Sequence, residues 1–181
     1  VSDPLTTNAA ADLRNAFDRS YAIPSSLHRS EQAENLLAIR LSGDPYAIRV
    51  SEISGLVKGR KTIGLPTPIP ELLGVAGVRG ALIPVYSLAT LLGYNLAEDT
   101  GGWLALCGNE EPVGLAFRDF EGYLKIPIIQ IYAASQDKLV REHIRDVAST
   151  EDVVRAIVNI PSILETIKKR CGEGRISKEM K

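Results

Sequence analysis

A chain of 181 residues, 45% apolar and 24% charged, has material for one domain or for two small subdomains around a common core. A net charge of -1 supplies no basic field for phosphates, and 6% aromatic residues are too few for a stacking platform on single-stranded nucleic acid. No apolar run approaches the roughly 20 residues of a spanning helix, no signal-peptide pattern opens the chain, and Cys107 and Cys171 make no disulfide framework, so a reducing cytoplasm is the expected compartment.

Residues 1–35 differ from the rest of the chain. Leu13, Phe17 and Tyr21 recur every four residues, with Ala9 and Ala16 nearby, which predicts one stripe of an amphipathic helix stopped at Pro24-Ser25-Ser26. A polar linker comes next. Such a helix either packs on the body of the protein or reaches out to a partner.

From Leu36 the period changes to two. Leu37, Ile39 and Leu41, the turn Ser42-Gly43-Asp44-Pro45, then Tyr46, Ile48 and Val50 predict a β-hairpin with one buried face. Ser51-Glu52-Ile53 leads away from it to a short strand at Leu56-Val57 and the basic loop Lys58-Gly59-Arg60-Lys61. Three prolines in Pro66-Thr67-Pro68-Ile69-Pro70 exclude a central strand or a helix interior, leaving a stiff extended lead. Then come two apolar runs with a single charge between them, Leu73 to Val78 and Ala81 to Val85, separated by Arg79-Gly80: strand, tight turn, strand. Ser87 is placed to cap the short helix Leu88–Leu92, and Gly93 to end it.

The polar loop from Asn95 to Gly102 is the expected midpoint. Beyond it Trp103–Cys107 is a continuous apolar run, Val113, Leu115 and Phe117 alternate, and Phe120, Tyr123, Leu124 and Ile126 continue the pattern, with a bend at Gly122. Residues 128–132 are apolar but follow a proline, and read as irregular or extended. His143–Ser149 and Asp152–Val158 are the last two strands. A final helix carries Ile160, Ile163, Leu164, Ile167 and Cys171 on one face. Asn159 caps it, Pro161 sits in its first turn, and Gly172 and Gly174 end it. Two strand groups of similar size lead to an expectation of two small β-barrels, each closed to hide its edges.

No catalytic set stands out. His28 and His143 lack neighbours at metal-ligand spacing and read as surface residues, and Cys107 reads as a buried free thiol without a base. Gly74, Gly77 and Gly80 sit between strands with no Lys-Ser/Thr behind them, so they form no phosphate loop. Asp119 and Glu121 can share a strand face, but a solvated edge explains them better than an acid/base pair. The chain offers instead an exposed arginine on a rigid turn, beside small residues that permit close approach. That is the profile of a binding module.

Leu36–Leu41, Tyr46-Ala47-Ile48, Val50-Ser51-Glu52-Ile53 and Gly74-Val75-Ala76-Gly77-Val78-Arg79-Gly80 with Ile83-Pro84-Val85 together resemble the CheW-like bacterial chemotaxis coupling proteins. Val113-Gly114-Leu115, Phe117-Arg118-Asp119 and Ile157–Ile160 fit more loosely, and the likeness covers about residues 36–170. The resemblance implies a mostly β fold of two five-stranded barrel subdomains sharing a hydrophobic core, with a C-terminal helix. The segment 1–35 is an N-terminal addition and 171–181 a tail. It implies no catalysis and no cofactor or metal. Family members are cytoplasmic adaptors that bridge the tip of methyl-accepting chemoreceptors to the regulatory domain of a CheA-type histidine kinase. Val50, Glu52, Gly74, Arg79 and Gly80 are the positions the resemblance places in or beside partner surfaces, with neither nucleic acid nor membrane insertion involved. Where Ser87 stands the family usually has aspartate; serine keeps the cap but not the charge. The reading from another class is a small barrel that binds nucleic acid or oligosaccharide, which would need a basic or aromatic face.

Overall fold

The computed structural model describes residues 32–94, 102–108, 110–134, 142–150 and 153–179, with side chains to residue 171. The expected N-terminal helix at Leu13–Tyr21 and His28 lie outside the described residues.

The first alternating stretch forms β1 (Ala33–Leu41) and β2 (Asp44–Arg49), paired antiparallel from Leu36–Arg49 to Leu41–Asp44. Their turn, Ser42-Gly43, takes positive φ at both residues, the geometry that matches strand twist. A 3-10 turn at Val50–Glu52 leads to β3 (Gly55–Lys58). Past the proline-rich lead, β4 (Leu72–Val78) and β5 (Ala81–Ser87) form the hairpin around Arg79-Gly80. The Thr90 N–H donates to Ser87 Oγ at 3.2 Å, so Ser87 caps helix α1 (Leu88–Leu91) as its position predicts. The remaining strands are β6 (Trp103–Cys107), β7 (Val113–Phe117), β8 (Asp119–Pro127), β9 (Ile131–Ala133), β10 (Ile144–Ser149) and β11 (Val154–Val158). Helix α2 (Ile160–Glu179) closes the chain.

The strands are not divided at the middle of the chain. One sheet runs β8-β1-β2-β11-β10-β9 and the other β3-β6-β7-β5-β4, so β6 and β7 join the strands before residue 95. Parallel pairing of β5 with β7 and of β2 with β11 makes this interleaving possible. Two expectations are corrected by it. One sheet has six strands rather than five, and among the described residues neither closes into a barrel through strand pairing. A single bridge, Ile63–Val75, ties the segment after β3 to β4, the opposite edge of its sheet. β8 and β9, the two edges of the other sheet, are linked along the chain by the 3-10 turn Ile128–Gln130.

The shared core is present. Leu37, Ile39, Leu41 and Ile48 from one sheet meet Ala105, Leu115 and Phe117 from the other, with Ile160 and Ile163 of α2 between them. The opposite face of β1 and β2 is buried too: Leu36 and Ala47 pack with Ala148 and Ile157. The hairpin therefore has two buried faces, not the one that alternation predicts. Full burial of each such Leu or Ile contributes about 1.5–3 kcal/mol. The Ser162 N–H donates to Asn159 Oδ1 at 2.8 Å, which makes Asn159 the cap of α2. The helix passes through Gly172 and Gly174 instead of ending there. A helical glycine costs about 1 kcal/mol relative to alanine, which disfavours a helix without forbidding it.

Candidate functional site

Arg79 and Gly80 form the two-residue turn between β4 and β5, with φ of 50° and 83°. Both angles are positive, as a type I′ turn requires. Gly80 adopts this without strain; Arg79 is held there by the register of the hairpin, in which Val78 pairs with Ala81. Arg79 is exposed, and among the described residues no carboxylate pairs with it. Its guanidinium lies along Gly55 at the start of β3, where a Cβ would stand 3.2 Å from Nη2. The charge is thus presented on a rigid tip with a preferred direction.

Gly55 stands three residues beyond Glu52, so the Val50–Glu52 turn and the arginine converge on β3. Val50 is half-buried against the shared core. Glu52 is mostly enclosed, with 17% of its side chain exposed. Its Oε2 accepts the Ile160 N–H at 2.9 Å at the start of α2, and its Oε1 faces Arg49 Nη1 at 3.7 Å. Arg49 also donates from Nε to Glu34 at 2.9 Å and from Nη2 to Asp146 at 2.6 Å. Burial works against the Arg49 charge, but Asp146, Glu34 and Glu52 outweigh it and hold the guanidinium charged more firmly than usual. Burial raises the pKa of Glu52 above the usual carboxylate range, and the bonds from Ile160 and Arg49 only partly offset it.

Gly74 lies apart from both turns. It is buried with φ 142°, and a Cβ there would stand 2.0 Å from the Ile63 carbonyl oxygen. Its role in the fold is to let the Ile63 segment cross β4. Of the five residues singled out, the structure brings Arg79 and Gly80 together at one tip, Val50 and Glu52 together at another, and sets Gly74 beneath a backbone crossing.

Glu121, His143 and Cys107 serve the fold. Glu121 pairs with Arg40 and Arg155, each at 2.6 Å. Burial opposes its charge, but these bonds hold its carboxyl below the usual range. It is a tie between strands, not half of an acid/base pair. His143 is buried, not on the surface as its sequence position predicts, because the first turn of α2 covers it: the Asn159 N–H donates to its carbonyl, and Nδ1 lies 3.0 Å from Ser162 Oγ. Burial pushes its imidazole below the usual range, against the opposing pull of Glu142. Cys107 is buried and its thiol is pushed up to about 12, mainly by burial and also by the Glu52 charge. Among the described residues, no group of three His, Cys, Asp or Glu is placed to hold a metal ion.

Sequence reasoning missed the Arg49 cluster, whose partners Glu34 and Asp146 lie 15 and 97 positions away. It also missed the exposure of Leu82 at 74%. Beside Leu82 a groove of about 1120 Å³ opens between Pro84, Pro112 and the α2 residues Leu164, Ile167 and Lys168. A strand pattern alone cannot separate such exposed apolar positions from buried ones.

The family model of the CheW-like domain matches residues 35–168, well over half of the chain. Among solved structures the chain is similar to the crystal structure of scaffolding protein TtCheW from Thermoanaerobacter tengcongensis, with a TM-score of 0.63 and 16% identity over 70% of this chain and 89% of that one. No curated protein matches the chain. At that identity the structural likeness carries the fold and the family model carries the membership. The chain belongs to the CheW-like domain family.

Proposed function

We propose that this protein is a non-enzymatic signalling adaptor that couples the cytoplasmic tips of chemoreceptors to the regulatory domain of a sensor histidine kinase. It would act in the cytoplasm, held at receptor arrays by its partners. One observation carries this reading: in a chain of the CheW-like family, the arginine of the Gly74–Gly80 motif is exposed, unpaired among the described residues, and fixed on a type I′ turn. A charge held in that way loses little freedom on binding. Arg79 and Gly80 form one contact surface, and the Val50–Glu52 turn lies at another, while Gly74 serves the strand beneath the Ile63 segment, apart from both.

The test is capture of a receptor cytoplasmic fragment and of the kinase regulatory domain by the wild type and by Arg79→Glu. The wild type should retain both. The variant should lose one of them by about 30-fold, equivalent to about 2 kcal/mol, with an unchanged circular-dichroism spectrum and melting temperature. Capture of neither partner by the wild type would sink the adaptor reading.

A further inference from the structure

Glu52 and Arg49 are poorly placed to touch a partner. Their side chains are only 17% and 15% exposed. Both Glu52 oxygens are directed inward, Oε2 at the Ile160 N–H and Oε1 at Arg49. The guanidinium of Arg49 in turn spans from Glu34 of β1 to Asp146 of β10, across strands that are not neighbours in the sheet. The turn is therefore clamped at both ends, by Arg49 just before it and by Glu52, its last residue. Between the clamps the exposed residue is Ser51, with Val50 half-buried beside it.

We propose that Arg49 and Glu52 are positioning residues that lock the turn to α2 and to the six-stranded sheet, and that Ser51 is the position the turn offers to a partner. This rests on the adaptor reading and refines it: the carboxylate that family resemblance places at a partner surface acts through the helix it caps. A glutamate side chain reaching an N-terminal N–H of a helix satisfies one of the donors left open there and favours the positive end of the helix dipole. Losing it frees the first turn of α2 and, through the turn, tilts Ser51.

The experiment uses the full chain with three substitutions. Glu52→Ala removes the acceptor. Glu52→Gln removes the charge but keeps an amide oxygen that can accept the same N–H. Ser51→Arg puts bulk on the exposed tip and leaves the clamp intact. Hydrogen exchange at the Ile160 amide and its neighbours is measured without any partner. Affinity is measured for the receptor fragment and the kinase regulatory domain separately.

Exchange at the start of α2 should rise about tenfold in Glu52→Ala, the size of a lost cap, and return close to wild type in Glu52→Gln. Affinity for one partner should follow the same order, falling about tenfold in Glu52→Ala and recovering in Glu52→Gln. Ser51→Arg should weaken that same partner with exchange unchanged. If Glu52→Ala does not fold, Arg49→Lys, which keeps the charge but cannot hold three carboxylates with one planar fork, serves in its place. A contact role for the carboxylate is the overturning result: Glu52→Gln then binds as weakly as Glu52→Ala while the α2 amides stay protected in both. Failure of the wild type to bind either partner refutes the adaptor reading instead, and leaves the exchange result to decide the clamp.

Discussion

Gly74→Ala is expected to be among the most damaging single-methyl additions in this fold, and the structure supplies the magnitude. The new Cβ would lie 2.0 Å from the Ile63 oxygen, 2.7 Å from its carbonyl carbon and 2.9 Å from the Gly64 Cα. All three are backbone atoms, so no side chain can swing aside. The crossing segment must lift off β4, which breaks the two bonds between Ile63 and Val75, at 2.8 and 2.9 Å. At about 1 kcal/mol each these account for roughly 2 kcal/mol. The φ of 142° adds roughly 1–3 kcal/mol once a side chain must adopt it. The total is roughly 3–5 kcal/mol, or a fall in Tm of about 6–20 °C for a domain of this size. Thermal denaturation followed by circular dichroism measures it. Gly77→Ala, three residues along the same strand with nothing within 4 Å of its Cβ, is the internal control and should melt within about 2 °C of the wild type. Equal melting of Gly74→Ala and wild type would refute the crossing as the reason for the glycine and make Gly74 a contact residue again.

Three further outcomes rest on the geometry. Ser87→Ala should cost about 1 kcal/mol by removing the acceptor for the Thr90 N–H, read as a small drop in urea midpoint at constant slope. Glu121 has a folded pKa below its ordinary value, so its stabilisation is full above about pH 4.5 and is lost as pH falls through the folded value. Denaturant titrations from pH 7 to 3 should therefore show a shallower acid loss in Glu121→Gln than in the wild type, and parallel curves would deny the tie to Arg40 and Arg155. With its thiol pushed up to about 12 and buried, Cys107 should resist alkylation at pH 7.5 in the native state, while exposed Cys171 reacts. Mass spectrometry of the labelled protein distinguishes them, and early labelling at Cys107 would contradict its burial.

Local signals survive into the fold wherever their partners are close in sequence. The caps at Ser87 and Asn159 need only a residue three positions on, and the Arg79-Gly80 turn needs only its own two strands. Signals with distant partners were illegible. Nothing around Glu52 announces that its carboxylate reaches a backbone N–H 108 positions later, and nothing around His143 announces that α2 will cover it. The sheet partition failed for the same reason. Alternation marks β6 and β7 as strands, but their pairing with β3 and β5 is a long-range choice that the period of two does not encode. Even the number of buried faces on β1 depends on how the sheet folds over Leu36.

These physical distinctions change what the Gly74–Gly80 motif is evidence for. Its first glycine answers a steric demand from Ile63, its middle residues Ala76 and Val78 fill buried positions, and the outward positions are Gly77, Arg79 and Gly80, of which Arg79 alone carries a side chain. Most of the motif would be required by any chain that crosses a segment over this strand, whatever that chain binds. A match to the motif therefore argues strongly for the fold and only through Arg79 for the partner. The same division holds at the second turn, where Arg49 and Glu52 look inward and Ser51 looks out. On the proposed adaptor reading, partner choice is expected to lie in the exposed residues seated on these rigid supports: Ser51, Arg79, and the apolar Leu82 just past the hairpin turn. Exchanging those three for the residues of another adaptor, with every support left in place, should transfer partner preference without changing stability by more than about 1 kcal/mol. If preference stays behind while the fold is unchanged, recognition resides on a different face of the two sheets.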